Sequence, residues 1–390
     1  MKAKKFLTKK PLRILHLTNI PTPYRVNFFN NLNRVLSSKG IELYVIYCSY
    51  SEPNRNWEIE DFNLDYKFKF LKGITLNLFG IYVHLNPFIL NYLNKLKPDI
   101  LINAGSWNMP SAILSLIPQK NYRNCLRIFW SEGHSKSVRN KHGIIAYLRK
   151  FIIKKYDFFL VPNLNSLEFL VNECGISKSN FIMLPNTIEE NIFLKKHKLT
   201  NTKFRKLAIV ASLEKRKGFI KFLNAIGKLS YETKSKIHLE IIGNGPLFAY
   251  IKKRLESLNI SFKINKKLLP KDVSEIFQNS HGFILPSIID PNPLSAIEAL
   301  ASGLPILLSK HCGNGKECII HNQNGWSFNP LDEDEIQNSI ELWSRKTIDE
   351  LNEMGAISRK RYKKYFSLKK TCKHLTKEIE KISSKNISNI

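Results

Sequence analysis

Asp290 and Glu298 stand eight positions apart in Leu285-Pro-Ser-Ile-Ile-Asp290-Pro-Asn-Pro-Leu-Ser-Ala-Ile-Glu298-Ala-Leu-Ala-Ser-Gly303-Leu-Pro305. The segment reads as a strand ending near Pro286, a rigid loop, and a helix that opens with Asn292 as cap and Pro293 in its first turn. Pro291 and Pro293 have no N–H, so the free donors at this helix start are the amides of Asn292, Leu294 and Ser295. Amides at a helix N-terminus favour an anion such as a diphosphate. Carboxylates, which only accept hydrogen bonds, suit the hydroxyls of a sugar or a ribose. Asp290 and Glu298 are therefore candidates to hold one ligand between them. Taken alone, Glu298 fits a solvated helical glutamate better.

Other loops carry matching chemistry. Ser212-Leu-Glu-Lys-Arg216-Lys217-Gly218 joins a strand to a helix and sets two cations at the edge where a diphosphate would lie. Ile241-Ile-Gly243-Asn244-Gly245-Pro246 also follows a strand and opens a helix, the setting in which glycines let amides approach phosphate. Gly313-Asn-Gly315-Lys-Glu317 and His321-Asn-Gln-Asn-Gly325-Trp326 complete the set of loops, with two surface turns as the alternative reading. In the first half, Asn19-Ile-Pro-Thr-Pro-Tyr24-Arg25 ends a strand and begins a helix, and Phe129-Trp-Ser-Glu132-Gly-His134 follows another strand. Tyr24 and Arg25 also fit ordinary first-turn residues, and a lone histidine such as His134 is more often structural.

The elements that must position these loops alternate along the chain. Leu12 to Thr18, Ile41 to Tyr47, Asp99 to Asn103, Leu126 to Trp130 and Phe158 to Val161 read as strands, with helical patterns at Tyr24 to Leu36, Pro87 to Leu96, Gly143 to Lys154 and Ser166 to Cys174. A polar stretch from Thr187 to Arg205 interrupts the alternation. It then resumes with strands at Leu207 to Ala211, Ile237 to Ile242, Phe262 to Ile264, Gly282 to Leu285 and Pro305 to Ser309. Helices are expected at Gly218 to Leu229, Leu247 to Leu258, Lys271 to Asn279 and Leu294 to Ala301. Repeated strand and helix imply parallel sheets flanked by helices. The expected architecture is α/β: two doubly wound, Rossmann-like domains, 11–190 and 203–366, with their ligand-binding edges on either side of a cleft.

The chain has 390 residues, long for one core, and a composition of 43% hydrophobic residues with only 17 Gly and 17 Pro excludes a disordered or collagenous protein. Six scattered cysteines without a CxxC pair point to a reduced, cytoplasmic protein lacking structural zinc. No secretion signal is read at Phe6-Leu7-Thr8-Lys9-Lys10. The uncharged stretches Ile74 to Asn94 and Ile100 to Gln119 are too broken to span a membrane. They suit either ordinary core or contact with an anionic bilayer, which a formal charge of +29 would favour. That charge also raises a nucleic-acid-binding alternative. No compact recognition module is present and the lysines spread over both halves, so no nucleic acid partner is expected. The basic stretch from Ile348 reads as a solvated helical face or a docking surface.

In their order and spacing the loops resemble the retaining glycosyltransferases of family 4, most strongly over Lys206 to Leu331. The resemblance implies the GT-B fold, with C-terminal helices (367–390) packing back on the first domain. It implies that Glu298 binds the nucleotide ribose and Asp290, where the family has Glu, the donor sugar hydroxyls, with the backbone of Asn292 to Ser295 beside them. Lys217 and Gly218 match the family's diphosphate clamp. Ser212 replaces its arginine, a place that neighbouring Arg216 can fill. Asn19, Tyr24 and Arg25 would line the cleft, and either Glu132 or His134 would stand beside the anomeric centre. Leu184-Pro-Asn186-Thr-Ile188 matches the interdomain motif with Thr187 in place of Gly. The implied activity is retaining transfer of a hexosyl group from a nucleotide sugar to a glycan or lipid-linked saccharide in surface polysaccharide biosynthesis, including lipopolysaccharide O-antigen or capsule. Asp290-Pro-Asn is not an acidic pair flanking a metal, so transfer without metal or cofactor is expected, with Lys217, Arg216 and helix amides replacing a divalent ion. A peripheral location on the inner face of the cell membrane goes with a lipid-linked acceptor. A sugar-nucleotide epimerase or an inactive homologue of the same fold is the remaining alternative.

Overall fold

The computed structural model describes residues 10–52, 63–78, 81–118, 124–138, 142–195, 199–266 and 268–387. The N-terminal stretch through Lys9, Gln119 and the last three residues lie outside them. In the first half the strands are β1 (Arg13–Thr18), β2 (Glu42–Tyr47), β3 (Lys67–Phe70), β4 (Ile74–Leu78), β5 (Ile81–Leu85), β6 (Ile100–Ala104), β7 (Leu126–Trp130), β8 (Phe158–Val161) and β9 (Phe181–Met183). Seven of them form a parallel sheet in the order β3-β2-β1-β6-β7-β8-β9. Ile14 stands opposite Leu43 on one side and Ile100 on the other. The central strands are apolar on both faces because helices cover both.

One face carries the helix Pro23–Ser37 and the last helix, Leu368–Ile387. Leu368, Cys372, Leu375, Ile379 and Ile382 recur at helical spacing and enter the same core as Phe28, Phe29 and Leu32. The C-terminal helix therefore packs back on the first domain. The opposite face is covered by Ile89–Leu96, Pro110–Ser115, Gly143–Ile153 and Leu164–Cys174.

The second sheet contains β10 (Arg205–Val210), β11 (Ile237–Ile242), β12 (Ser261–Asn265), β13 (Gly282–Leu285), β14 (Ile306–Ser309) and β15 (Gly325–Phe328). It is parallel throughout, in the order β12-β11-β10-β13-β14-β15. Chain order reverses between β1 and β6 in the first sheet and between β10 and β13 in the second. Ligand crevices form beyond the strand ends at such switch points. The loops singled out by chemistry at Asn19, Ser212 to Gly218 and Pro286 to Ser295 sit there. In the stretch joining the sheets, Ile188, Phe193 and Leu199 pack into the second core.

Two segments with alternative readings take definite form. The segments read as surface turns are structural: Asn324 is buried and its side chain accepts from the Ile320 amide at 2.7 Å and donates to the Cys318 carbonyl at 3.0 Å. That bracket sends Gly325–Phe328 into the sheet as β15, with Trp326 and Phe328 buried. The uncharged stretch from Ile74 splits into an antiparallel β4–β5 hairpin with Ile74 and Leu76 exposed, and a helix whose Ile89 and Leu93 are core. Among the described residues no helix is long and apolar enough to cross a membrane, and all six cysteines are free and buried.

Candidate active site at the domain cleft

Gly218 sets the geometry of the second domain's half. It adopts φ +75°, and a Cβ there would lie 1.9 Å from the Pro286 carbonyl oxygen, so only glycine lets the loop after β10 touch the loop after β13. The Ile288 and Ile289 amides both donate to the Arg216 carbonyl, at 2.8 and 3.1 Å. This contact delivers Lys217, nearly buried, to Asp290, and its ammonium donates to the Asp290 carboxylate. The Gly313 amide holds the Asp290 backbone carbonyl at 2.9 Å.

A cavity of about 640 Å³ opens beside this pair. Its wall includes Arg216, Lys217, Asp290, Asn292, Leu294, Ser295 and Glu298 from the second domain, with Tyr24, Glu132 and Glu189 opposite or beside them. Glu298 projects from the helix Leu294–Ser302 onto this wall. Burial pushes its carboxyl up to about 7, and the nearby Glu189 carboxylate adds to the rise. Burial also raises Glu189. A cavity lined by a lysine, a helix start and recessed carboxylates can take a molecule with an anionic centre and several hydroxyls.

The first domain contributes a fixed cation. Arg25 is buried over the Trp130 ring at 4.7 Å and donates to Thr18 Oγ1 at 2.9 Å and to Glu132 Oε1 at 3.2 Å. Asn186 donates to the same Glu132 oxygen at 3.2 Å. Glu132 also borders a second cavity of about 680 Å³ formed by first-domain residues such as Ser106, Trp107 and Arg149, together with Pro291. It thus stands between two adjoining spaces, the arrangement needed where two substrates meet. Asn163 bonds the Pro291 carbonyl at 3.2 Å, and Asn165 bonds the Gly313 carbonyl at 2.8 Å. Glu317 accepts from the Leu164 amide at 2.9 Å. These bonds tie the domains together at the cleft.

The structure brings together Arg216, Lys217, Asp290, Glu298, Asn292, Leu294, Ser295, Tyr24 and Glu132 on one wall and places the others as follows. Pro293, not Asn292, is the helix N-cap, because the helical backbone starts at Leu294. Asn292 instead turns a buried side chain to the wall, its Oδ1 and Nδ2 without a hydrogen-bond partner. Arg216 is exposed and paired with Glu214 at 2.7 Å; it reaches Ser212 Oγ at 3.5 Å. Gly243, Asn244 and Gly245 do not line the cavity. The Gly243 amide is taken by the Asn265 carbonyl, the Gly245 amide by the Asn244 side chain, and a Cβ at Gly243 would meet the Ala211 carbonyl at 1.9 Å. Those glycines serve loop packing. His134 is buried off both cavities, its Nδ1 accepting from the Lys136 amide at 3.3 Å. Burial lowers its pKa, opposed by the Asp290 carboxylate. Asn19 lies under the Gly105 loop.

Sequence reasoning missed Glu189 on the wall and Trp130 beneath Arg25. Both adjoin motifs it had noticed, Asn186-Thr-Ile188 and Ser131-Glu132. Among the described residues no three His, Cys, Asp or Glu side chains converge as a metal cluster.

Residues 190–361 match the family model described as glycosyl transferases group 1. The second domain is thus similar to a group 1 glycosyltransferase domain. Along the chain, 316 residues (80% of it) are 28% identical to an uncharacterized glycosyltransferase of Haemophilus influenzae, covering 84% of that protein. A shorter region of 105 residues, 26% of each chain, is 30% identical to the UDP-Gal:alpha-D-GlcNAc-diphosphoundecaprenol alpha-1,3-galactosyltransferase of Escherichia coli. The solved lipopolysaccharide outer core galactosyltransferase WaaB, in its apo form, superposes with a TM-score of 0.71 over 95% of this chain and 99% of its own, at 14% identity. That likeness shows the fold, GT-B.

Proposed function

We propose that the chain moves a sugar, with retention, from a nucleotide sugar to a saccharide or lipid-linked saccharide acceptor in surface polysaccharide biosynthesis, as a peripheral enzyme of the cytoplasmic membrane face. The observation that carries this reading is the meeting of Lys217, Asp290, Glu298 and a helix start on one cavity wall, faced by Tyr24 and Glu132 of the other domain. Glu298 accepts from the ribose hydroxyls and Asp290 from those of the transferred sugar. Lys217 has three donors, so it can keep Asp290 and still meet a diphosphate oxygen. The amides of Leu294 and Ser295 add to that anion site, and Arg216 reaches it by leaving its exposed pairing with Glu214, which is held weakly.

In the reaction the bond from the anomeric carbon to the diphosphate oxygen breaks. A bond to the acceptor oxygen forms on the same face, and the acceptor proton passes to the departing phosphate. Negative charge grows on the leaving group, where preorganised cations and amides lower the barrier. We assign this transfer as metal-independent, the cations standing in for a divalent ion. The second cavity, beyond Glu132, is assigned to the acceptor. The acceptors named for the Escherichia coli relative and for WaaB, a diphosphoundecaprenol-linked sugar and a lipopolysaccharide core, support a lipid-borne glycan.

The test is product analysis with a panel of nucleotide sugars, with and without lipid-linked acceptors. Release of nucleoside diphosphate together with a glycoside of unchanged anomeric configuration is expected. Inversion would overturn retention. Binding of DNA or RNA with steep salt dependence and no consumption of any donor would overturn the whole reading.

A further inference from the structure

The helix Gly143–Ile153 carries an apolar stripe on the wrong side. Its inner face, Ala146, Arg149 and Ile153, is buried against the first domain. Yet Ile144, Tyr147, Leu148 and Phe151 are 75%, 68%, 45% and 53% exposed. They fall at i, i+3, i+4 and i+7, the spacing that lines one face of a helix. Four large apolar side chains on one outward stripe are more than scattered surface hydrophobes account for.

The charges beside the stripe are of one sign. From His142 to Tyr156 the sequence has Arg149, Lys150, Lys154 and Lys155 and no Asp or Glu. Lys150, Lys154 and Lys155 are exposed, and the Lys155 ammonium lies over the Phe151 ring at 4.6 Å. An outward apolar stripe edged by lysines matches an anionic bilayer, apolar groups entering the acyl boundary while ammonium groups meet phosphate. The same helix also borders the proposed acceptor cavity through Ile145 and Arg149. We infer that the helix Gly143–Ile153 is the surface by which this protein docks on anionic phospholipid, with the acceptor cavity opening next to the membrane. The site itself stands on the stripe and its lysines. Its use for delivering a lipid-borne acceptor rests on the function proposed above.

The β4–β5 hairpin, with Ile74 and Leu76 exposed, is the rival surface. The exposed Lys72 precedes it, but no charged residue lies between Ile74 and Asn94, so it offers anionic headgroups fewer cations than the three exposed lysines of the helix and its end.

The test is co-sedimentation of the full chain with vesicles of phosphatidylcholine alone or mixed with phosphatidylglycerol, at low and high salt. The variants are Ile144→Ser with Phe151→Ser, Lys150→Glu with Lys154→Glu, and Ile74→Ser with Leu76→Ser. Binding to the anionic vesicles is expected to fall about tenfold or more in the stripe variant at either salt. The lysine variant is expected to lose about 25-fold or more at low salt, and the hairpin variant nothing. None of these residues lines either cavity, so transfer to a soluble, lipid-free acceptor serves as a fold control and should persist in all three. Unchanged vesicle binding in the stripe variant overturns the assignment, as does a loss confined to the hairpin variant. So does a stripe variant that converts a dimer to monomer and binds vesicles like the parent, which would make the face a contact with a second copy. Vesicle binding needs no donor, so a chain that docks but transfers nothing would refute the proposed function and leave the docking surface standing.

Discussion

Glu298 shows how one side chain trades stability for binding. Its carboxyl is raised from 4.5 to about 7 by burial and by Glu189. Between those values the folded protein holds more protons than the unfolded chain, so stability falls as pH rises through that window. The rise corresponds to a cost of up to about 3 kcal/mol above pH 7. Glu298→Gln should therefore raise the urea midpoint relative to the parent at pH 8 and change it little at pH 4.5. Equal differences at the two pH values would contradict the assignment. In the role proposed above the ionised form accepts the ribose hydroxyls, so donor affinity of the parent should improve as pH rises through about 7. Asp290, Glu298 and Lys217 were legible in the sequence because each sits in a short loop or helix start whose neighbours fix its place. Glu189 was not, because it reaches the cavity by the path of the chain between the domains. Arg216 reaches the same wall, though from an exposed pairing with Glu214.

At the scale of elements, alternating apolar runs and helical patterns gave the strands and helices of both sheets to within a residue or two. Those segments bury both faces or one stripe, a pattern that needs no partner to be read. Missed elements include β9 and the locally capped helix Glu333–Ser344, while two others depend on distant contacts. β15 exists because the Asn324 side chain brackets the turn before it, and β3 is a mostly exposed edge strand alternating Lys and Phe. The contact of the loops after β10 and β13 is likewise tertiary, and it hinges on Gly218. Gly218→Ala puts a Cβ 1.9 Å from the Pro286 oxygen at φ +75°. It should cost at least about 2 kcal/mol and pull Lys217 from Asp290. A lowered thermal midpoint with loss of donor binding is expected, and a variant as stable and active as the parent would remove the geometric basis given for Lys217.

Across the whole molecule, the chain leaves the first domain at β9, builds the second, and returns through the helix Leu368–Ile387 to complete the first core. Glu190 stands at this crossing, accepting from the Tyr362 hydroxyl at 3.0 Å and the Leu368 amide at 2.9 Å. Glu190→Ala strands a buried tyrosine hydroxyl and should lower stability by about 1–3 kcal/mol without touching the cavity wall. A denaturant titration that shows no change would mean the crossing is held by packing alone. The paired sheets were legible from the alternation and the return helix from its period; its packing on the first domain came only with the family resemblance, since an apolar stripe does not name the face it covers. What remains is whether the crevice between the domains grips an activated sugar through protein cations. The most direct measurement is thermal denaturation of the parent and of Lys217→Ala with a panel of nucleotide sugars in metal-free buffer. At one hundred times its dissociation constant a ligand adds about 2.7 kcal/mol. At least one nucleotide sugar should raise the parent's midpoint and leave that of Lys217→Ala unmoved; a panel that stabilises neither protein, or both equally, would contradict the account.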